Sequence, residues 1–146
     1  MKVYEMQVKY KAVKSIKVDS ITKPHEVLKY MAGAFDSAPM QEHFYIILLN
    51  NQNEPIARHL CTLGLVNKCP VHSREVFKMA IVESAASIIL VHNHPSGSLK
   101  PSQEDINVTK QLLEASKIID IPILDHCIIA NDNITSIRGL YPGFFN

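Results

Sequence analysis

The residues best suited to chemistry lie in two adjacent strings, His92-Asn93-His94-Pro95-Ser96-Gly97 and Ser102-Gln103-Glu104-Asp105. Side chains two residues apart on a strand share one face and lie about 6.6 Å apart, so His92 and His94 can converge on one cation. Pro95 ends the strand and Gly97 permits a sharp turn, so Asp105 can approach from the first turn of the next helix. Two imidazoles and one carboxylate leave a fourth position for water, which is typical of a catalytic rather than a structural zinc site.

Each part of this pattern also has a purely structural interpretation. His92 and His94 alone are compatible with ordinary half-buried histidines beside a turn. Ser102-x-x-Asp105 alone is a variant of the helix-capping box, with Asp favoured near the positive end of a helix. The combination favours the metal site, and Ser102 could both cap the helix and donate a hydrogen bond to a developing oxyanion.

A zinc-activated water needs a general base within reach. The sequence contains no HExxH and no H-x-E…P-C-x-x-C set, which disfavours the familiar zinc proteases and the nucleobase deaminases. Glu42 is the best candidate, because it opens a strand that is otherwise apolar. His43 is expected to face the opposite side of that strand and to be structural.

The elements that must position these residues follow from hydrophobic periodicity and turn signals. Strands are predicted at 3–8, 13–18, 42–50, 55–65 and 88–93, with a C-terminal hairpin of 121–130 and 134–138 around Asp132-Asn133. Helices are predicted after Pro24 (buried face Val27, Leu28, Met31, Phe35), after an N-cap at Ser73 (stripe Val76, Phe77, Ala80, Ile81, Ser84) and after Ser102. Because strands and helices interleave without strict alternation, the pattern predicts a single domain over 1–146 with a mixed sheet flanked by helices.

Charge and composition narrow the class of protein. The 146 residues are 47% hydrophobic and 20% charged, which indicates a globular chain, and the net charge of +1 names no partner. Residues 1–29 carry seven lysines against three acidic residues, a net charge of +4. This basic strip is interpreted as the solvated edge of N-terminal strands within 1–20, in preference to a weak phosphate-binding surface.

Cysteine usage and hydropathy bear on the compartment. Cys61, Cys69 and Cys127 are odd in number and lack C-x-x-C spacing, which favours buried or half-buried free thiols over disulfides or a cysteine-rich zinc site. No apolar run reaches the length of a membrane span, and the N-terminus lacks the apolar stretch of a secretory signal. We therefore expect a cytoplasmic protein without a membrane partner.

Together, Glu42, His92-x-His94-Pro95, Gly97 and Ser102-x-x-Asp105 resemble the JAMM motif of the JAB/MPN+ metalloproteases. The string from His92 to Gly97, with Pro101-Ser102, the later Asp125-His126 and the earlier Arg74-Glu75-Val76-Phe77-Lys78, resembles the RadC branch in particular. The resemblance covers about residues 20–138. It implies a three-layer α/β/α fold of the cytidine deaminase type and one zinc per chain.

The resemblance also implies residue roles. His92, His94 and Asp105 would be the metal ligands, Glu42 the acid/base and Ser102 the oxyanion donor, while Asp125 and His126 could support the site by hydrogen bonds. Proteins with this site hydrolyse peptide or isopeptide bonds, often next to ubiquitin-like tails. A nucleic-acid accessory module of DNA repair, with a structural or vestigial metal, is the alternative. Because only about twenty residues precede the matching region, a helix-hairpin-helix module is expected to be missing, which weakens that alternative.

Overall fold

The chain folds around a five-stranded sheet with helices on both faces. The computed structural model describes residues 1–64 and 71–146. The strands are β1 (Glu42–Leu49), β2 (Pro55–Gly64), β3 (Ser87–Asn93), β4 (Ile123–Ala130) and β5 (Asn133–Ser136). The helices are α1 (Pro24–Met31), α2 (Ser73–Val82), α3 (Gln103–Ile119) and the short α4 (Ile137–Leu140), followed by a 3₁₀ turn at Pro142–Phe145.

The sheet is mixed, with strand order β2-β1-β3-β4-β5. The β3–β4 pair is parallel, because α3 returns the chain to the same end of the sheet, and the other pairs are antiparallel. Every residue of the central strand β3 is buried, as its continuous β-branched run predicts.

Alternation along the strands divides the core into two layers. Phe44, Ile46 and Leu90 pack with residues of α2 and α3 on one face. Ile47 and Val91 pack with residues of α1 on the other. The predicted three-layer α/β/α arrangement with a mixed sheet is therefore confirmed.

The predicted N-terminal strands are wrong. Residues 1–22 contain neither helix nor strand, and most of their side chains are exposed, as with Val3 and Met6. Two short apolar stretches interrupted by polar and charged residues give little surface to bury, and a strand is stable only with a hydrogen-bonded partner and a buried face. One outer strand of the sheet is instead β2, and residues 1–22 form an irregular segment, in which Tyr10 is bonded to Glu83 and Lys14 to the carbonyl of Ala32.

Two predicted helix boundaries also shift. Helix α1 ends at Met31, before the left-handed Gly33 (φ 83°), so Phe35 lies outside it and packs against His43 and Tyr45. The N-cap position of helix α2 is held by His72, whose side chain makes no capping hydrogen bond, and the predicted N-cap Ser73 is the first residue of the helix.

The stripe predicted for α2 is correct for Val76, Phe77 and Ala80. It is wrong for Ile81, which is exposed, and for Ser84, which lies beyond the end of the helix with φ 51°. Strand β2 ends at Gly64, and Leu65 and Cys69 of the sequence predictions lie outside the described residues.

The C-terminal hairpin is present but displaced by one residue. Asn131 and Asp132 form its turn, and both have positive φ (47° and 59°), as a two-residue type I′ turn requires. Asn133 is the first residue of β5, while Arg138 belongs to α4 rather than to the strand. In the part of the chain that the structure describes, no helix combines the length and the apolarity needed to cross a bilayer.

Candidate metal centre

Strand β3 and the turn that follows it position the two histidines. His92 lies on the face of β3 that packs with Phe44 and α3, and it is 1% exposed. The next turn is held by the His94 N–H donating to the Ile129 carbonyl (2.9 Å) and by Gly97 N–H donating to the His94 carbonyl (3.0 Å). Gly97 has φ 87°, a left-handed conformation that favours glycine. The turn points the His94 ring back towards His92.

Asp105 is presented by the N-terminus of α3 through a complete capping box. Ser102 Oγ accepts from the Asp105 N–H (3.1 Å), while Asp105 Oδ2 accepts from the Ser102 N–H (2.8 Å). The predicted cap at Ser102 is confirmed. The hydrogen bond from the Ser102 N–H uses only part of the Asp105 carboxylate, because a carboxylate offers about four lone-pair directions. The remaining directions are available to a metal ion.

The three predicted ligands converge. His92 Nε2 lies 2.9 Å from His94 Nε2 and 3.1 Å from Asp105 Oδ1, and His94 Nε2 lies 3.1 Å from Asp105 Oδ2. Together with His92 and Asp105, which are buried, the half-buried His94 forms a cluster whose ligand atoms all lie within 4.8 Å of one another.

The dimensions and chemistry of this triangle fit a zinc ion. Ligand atoms about 2.0–2.1 Å from a tetrahedral zinc are about 3.3 Å apart, close to the separations observed. Two imidazole nitrogens facing each other at 2.9 Å need a proton or a cation between them, because two bare lone pairs repel. The set of two histidines and one carboxylate is also one that zinc accepts.

The electrostatics of the cluster favour an ionised carboxylate. Burial acts to raise the pKa of Asp105, but hydrogen bonds from His92 and His94 overcome it and hold that pKa well below its usual range. The hydrogen bond to Asp105 raises the pKa of His94 against the opposing effect of burial, with a smaller contribution from the charge of Glu42. The Asp105 carboxylate therefore stays ionised at neutral pH and supplies the negative charge that a cation site requires.

Glu42 lies on the same side of the sheet as the cluster. Phe44 pairs with His92 across β1 and β3, and continuing this antiparallel register by two residues sets Glu42 opposite His94. The half-buried Glu42 lines a cavity of about 250 Å³ together with His94, Ser102 and Asp105. The predicted base is thus brought to the predicted ligands from fifty residues away in sequence.

His43 lies on the opposite face, as predicted. Its ring is buried and packs against Phe35 and Tyr45, and its Nδ1 contacts the Gln41 carbonyl at 2.9 Å. The neighbouring Asn93 accepts from the His43 N–H (2.6 Å) and donates to the Gln41 carbonyl (3.0 Å), which fixes the start of β1 beside the end of β3.

Ser102 keeps a donor available after capping. Its oxygen accepts from the Asp105 N–H, so its single hydroxyl hydrogen is not used by the cap. The side chain is exposed and lines the cavity next to Glu42. The geometry is compatible with both roles predicted for it.

The two residues predicted to support the site have different surroundings. His126 Nε2 lies 2.8 Å from His92 Nδ1 and is fully buried; burial lowers its pKa well below the usual value. Asp125 instead accepts from the Ser136 hydroxyl (2.6 Å) and from the Arg138 N–H (3.1 Å), so it ties β4 to the β5–α4 segment. The structure thus brings His126, and not Asp125, into contact with a ligand.

Sequence reasoning missed two residues near the site. Thr109, buried in α3, lies 2.6 Å from His126 Nδ1. Its position four residues after Asp105, on the same helical face, was the available signal. Lys100 lines the cavity and carries the opposite charge to Glu42. Arg74, which the sequence singled out as part of the RadC-like string, is exposed and lies near Glu75 (4.0 Å).

A larger cavity lies away from the cluster. It has a volume of about 610 Å³ and separates the N-terminal segment from β2, with Tyr30, Tyr45 and Arg58 in its wall. None of the metal-ligating side chains lines it. The smaller cavity beside Glu42, which His94 and Asp105 line, is therefore the relevant one for chemistry.

Comparison with known proteins identifies the family of the chain. The chain is 48% identical to a UPF0758 protein of Methanospirillum hungatei over 120 residues, which cover 82% of this chain and 53% of that relative. It is 53% identical to a UPF0758 protein of Desulforamulus reducens over 99 residues, which cover 68% of this chain and 44% of that relative. The chain therefore spans about half the length of the curated relatives it matches. The sequence model of the RadC-like JAB domain matches residues 21–141, so the chain belongs to the RadC-like JAB domain family.

Proposed function

We propose that this domain is a zinc-dependent hydrolase that cleaves an amide bond in a peptide or isopeptide substrate. The observation that carries the proposal is the convergence of His92, His94 and Asp105 beside a cavity that Glu42 also lines. A module that only binds nucleic acid needs neither the Glu42 carboxylate nor a coordination position left open for water beside the three ligands.

The residues around the cavity have complementary roles. A zinc bound by the three ligands supplies a Lewis acid and lowers the pKa of water towards 7. The Glu42 carboxylate accepts the proton of the attacking water and returns it to the leaving amine. The Ser102 hydroxyl donates a hydrogen bond to the carbonyl oxygen as negative charge develops on it.

The size and position of the cavity support a chain-like substrate. The volume of about 250 Å³ is below the usual range of about 300–1,000 Å³ for ligand pockets, and the exposed Ser102 marks the open side, which fits a short part of a substrate that continues outside the cavity. The free thiols Cys61 and Cys127 are compatible with a reducing compartment, so we place the activity in the cytoplasm. These features name a class of substrate and not a particular protein.

Metal content tests the ligand assignment. We expect one zinc per wild-type chain by elemental analysis, and loss of zinc from His92→Ala, His94→Ala and Asp105→Ala. The exposed His25→Ala is the matched control and should keep its zinc. Full zinc occupancy in all three ligand variants would contradict the assignment.

Glu42→Gln tests the reaction itself. The amide is nearly isosteric but cannot accept a proton, so zinc content and fold should persist while hydrolysis of a panel of peptide and isopeptide substrates is lost. Glu114→Gln, an exposed change on α3, is the control. Wild-type turnover by Glu42→Gln, or hydrolysis that survives EDTA, would refute the proposed mechanism.

A further inference from the structure

A buried chain of hydrogen bonds leads away from the rear of the His92 ring. His92 Nδ1 lies 2.8 Å from His126 Nε2, and His126 Nδ1 lies 2.6 Å from the Thr109 hydroxyl. That hydroxyl in turn donates to the Asp105 carbonyl at 2.6 Å. The chain therefore starts at one candidate ligand and ends on the backbone of another, and it joins β3, β4 and α3.

The direction of these bonds is fixed from the Asp105 end. A carbonyl oxygen only accepts, so the single hydroxyl hydrogen of Thr109 is committed to it. The Thr109 oxygen can then only accept from His126, which places a hydrogen on His126 Nδ1. The remaining question is whether His126 Nε2 also carries one.

The geometry at the other end of these hydrogen bonds answers that question. His92 Nε2 lies 2.9 Å from His94 Nε2 and 3.1 Å from Asp105 Oδ1, so it is the His92 atom that would hold the metal and must then have a lone pair. The hydrogen of the His92 ring is then on Nδ1, which donates to His126 Nε2 at 2.8 Å. His126 Nε2 therefore accepts, and the directions deduced from the two ends agree.

His94 is held in the same Nδ1–H tautomer by a single backbone contact. Its Nδ1 lies 2.8 Å from the Ser98 carbonyl, which can only accept, so Nδ1 carries the hydrogen and Nε2 is the ligand atom. At His92 Nδ1 the corresponding contact is made by a second imidazole, that of His126.

We propose that Thr109 and His126 are positioning residues that hold His92 in the Nδ1–H tautomer and thereby present Nε2 to the metal. The inference rests on the proposed zinc site and adds how one ligand is prepared for it. Residues that hydrogen-bond to a metal ligand change metal affinity by about 10–100-fold. We therefore expect Thr109 and His126 to increase zinc retention without contacting the ion.

The tautomers can be observed directly. In the zinc-loaded protein, long-range ¹H–¹⁵N correlation spectra of the labelled chain should show the ring hydrogen of His126 on Nδ1 and the ring hydrogen of His92 also on Nδ1. A hydrogen on His126 Nε2 would overturn the proposal, whatever the variants below do.

Thr109→Val removes the hydroxyl with little change in shape. The Nδ1–H of His126 would then be buried without an acceptor, which favours the other tautomer and directs a hydrogen at His92 Nδ1. His92 would keep its hydrogen on Nε2, where it competes with zinc. We expect zinc affinity, measured by competition with a chelator, to fall about 10–100-fold, and the His126 resonances to change to the Nε2–H pattern.

Thr109→Ser is the matched control, because it restores the hydroxyl and should restore both the affinity and the tautomer. Wild-type zinc affinity in Thr109→Val would overturn this inference alone, while the zinc site itself would stand. Failure of the wild-type chain to bind zinc would instead overturn the proposed function and this inference together.

Discussion

Ser102 can be dissected into a structural and a chemical role by three substitutions. Ser102→Ala removes the acceptor for the Asp105 N–H (3.1 Å) but leaves the second bond of the capping box, from the Ser102 N–H to the Asp105 carboxylate (2.8 Å). Ser102→Thr retains both the acceptor and the hydroxyl donor. Ser102→Asp retains an acceptor for the cap but has no hydrogen to donate.

The structural loss follows from the bonds that are broken. Removing one N-cap acceptor costs about 1 kcal/mol, within the usual range of 0.5–2 kcal/mol. For a chain of this length an unfolding entropy of about 2.1 cal/mol/K per residue converts that loss into a decrease in Tm of about 3 °C. Ser102→Ala should show this decrease, whereas the Thr and Asp variants should melt close to the wild type.

The chemical loss should follow a different order. If the hydroxyl stabilises an oxyanion, kcat should fall about 10²–10³-fold in Ser102→Ala. Ser102→Asp should lose at least as much, despite its intact cap, while Ser102→Thr should retain most of the activity.

Thermal unfolding by circular dichroism, zinc content and kcat on one amide substrate are the three measurements. Wild-type kcat in Ser102→Ala at full zinc content would refute the oxyanion role and leave Ser102 as a cap only. An unchanged Tm in the same variant would refute the capping argument.

Four further predictions follow from single contacts. Gly97→Ala should lower stability and zinc retention, because φ is 87° and a Cβ would lie 2.7 Å from the Asn131 side chain; a variant with wild-type Tm and zinc content would contradict this. Asp125→Ala should destabilise the protein by about 1–3 kcal/mol, because its hydrogen bonds to the Ser136 hydroxyl and the Arg138 N–H are lost, but it should not reduce zinc content. Loss of zinc from a folded Asp125→Ala variant would instead place Asp125 in the metal site. Burial raises the pKa of the Cys61 thiol to about 12, so its alkylation at pH 8 should be about 1,000-fold slower than in the unfolded chain. Peptide mass spectrometry follows the reaction, and rapid labelling of the native protein would contradict the prediction by showing that the thiol is accessible. Duplex DNA binding should be no tighter than about 10⁻⁴–10⁻⁶ M at physiological salt and insensitive to EDTA, and sub-micromolar sequence-selective binding would favour the accessory module.

The sequence by itself determined the parts of the site that depend on short-range geometry. The two-residue spacing of His92 and His94 is that of a strand, although β3 ends at Asn93 and the turn after it directs the His94 ring. Ser102-x-x-Asp105 follows from the three-residue span of a helix cap. These patterns need no tertiary information, because bond lengths and dihedral preferences fix the distances. The continuous apolar run of β3 likewise identified the central strand, since only a strand covered on both faces consists entirely of such residues.

The tertiary structure alone decided which distant residues meet. The register of Phe44 with His92, which sets Glu42 beside the cluster, depends on burying one face of two strands together, and no local pattern encodes it. The contact of Thr109 with His126 depends on how α3 lies over β4, so its hydrogen-bond direction was invisible in the sequence. In the N-terminal segment, a local strand pattern did not lead to a strand. Residues 1–22 remain irregular, because strand formation requires a partner edge and a buried face that this segment does not have.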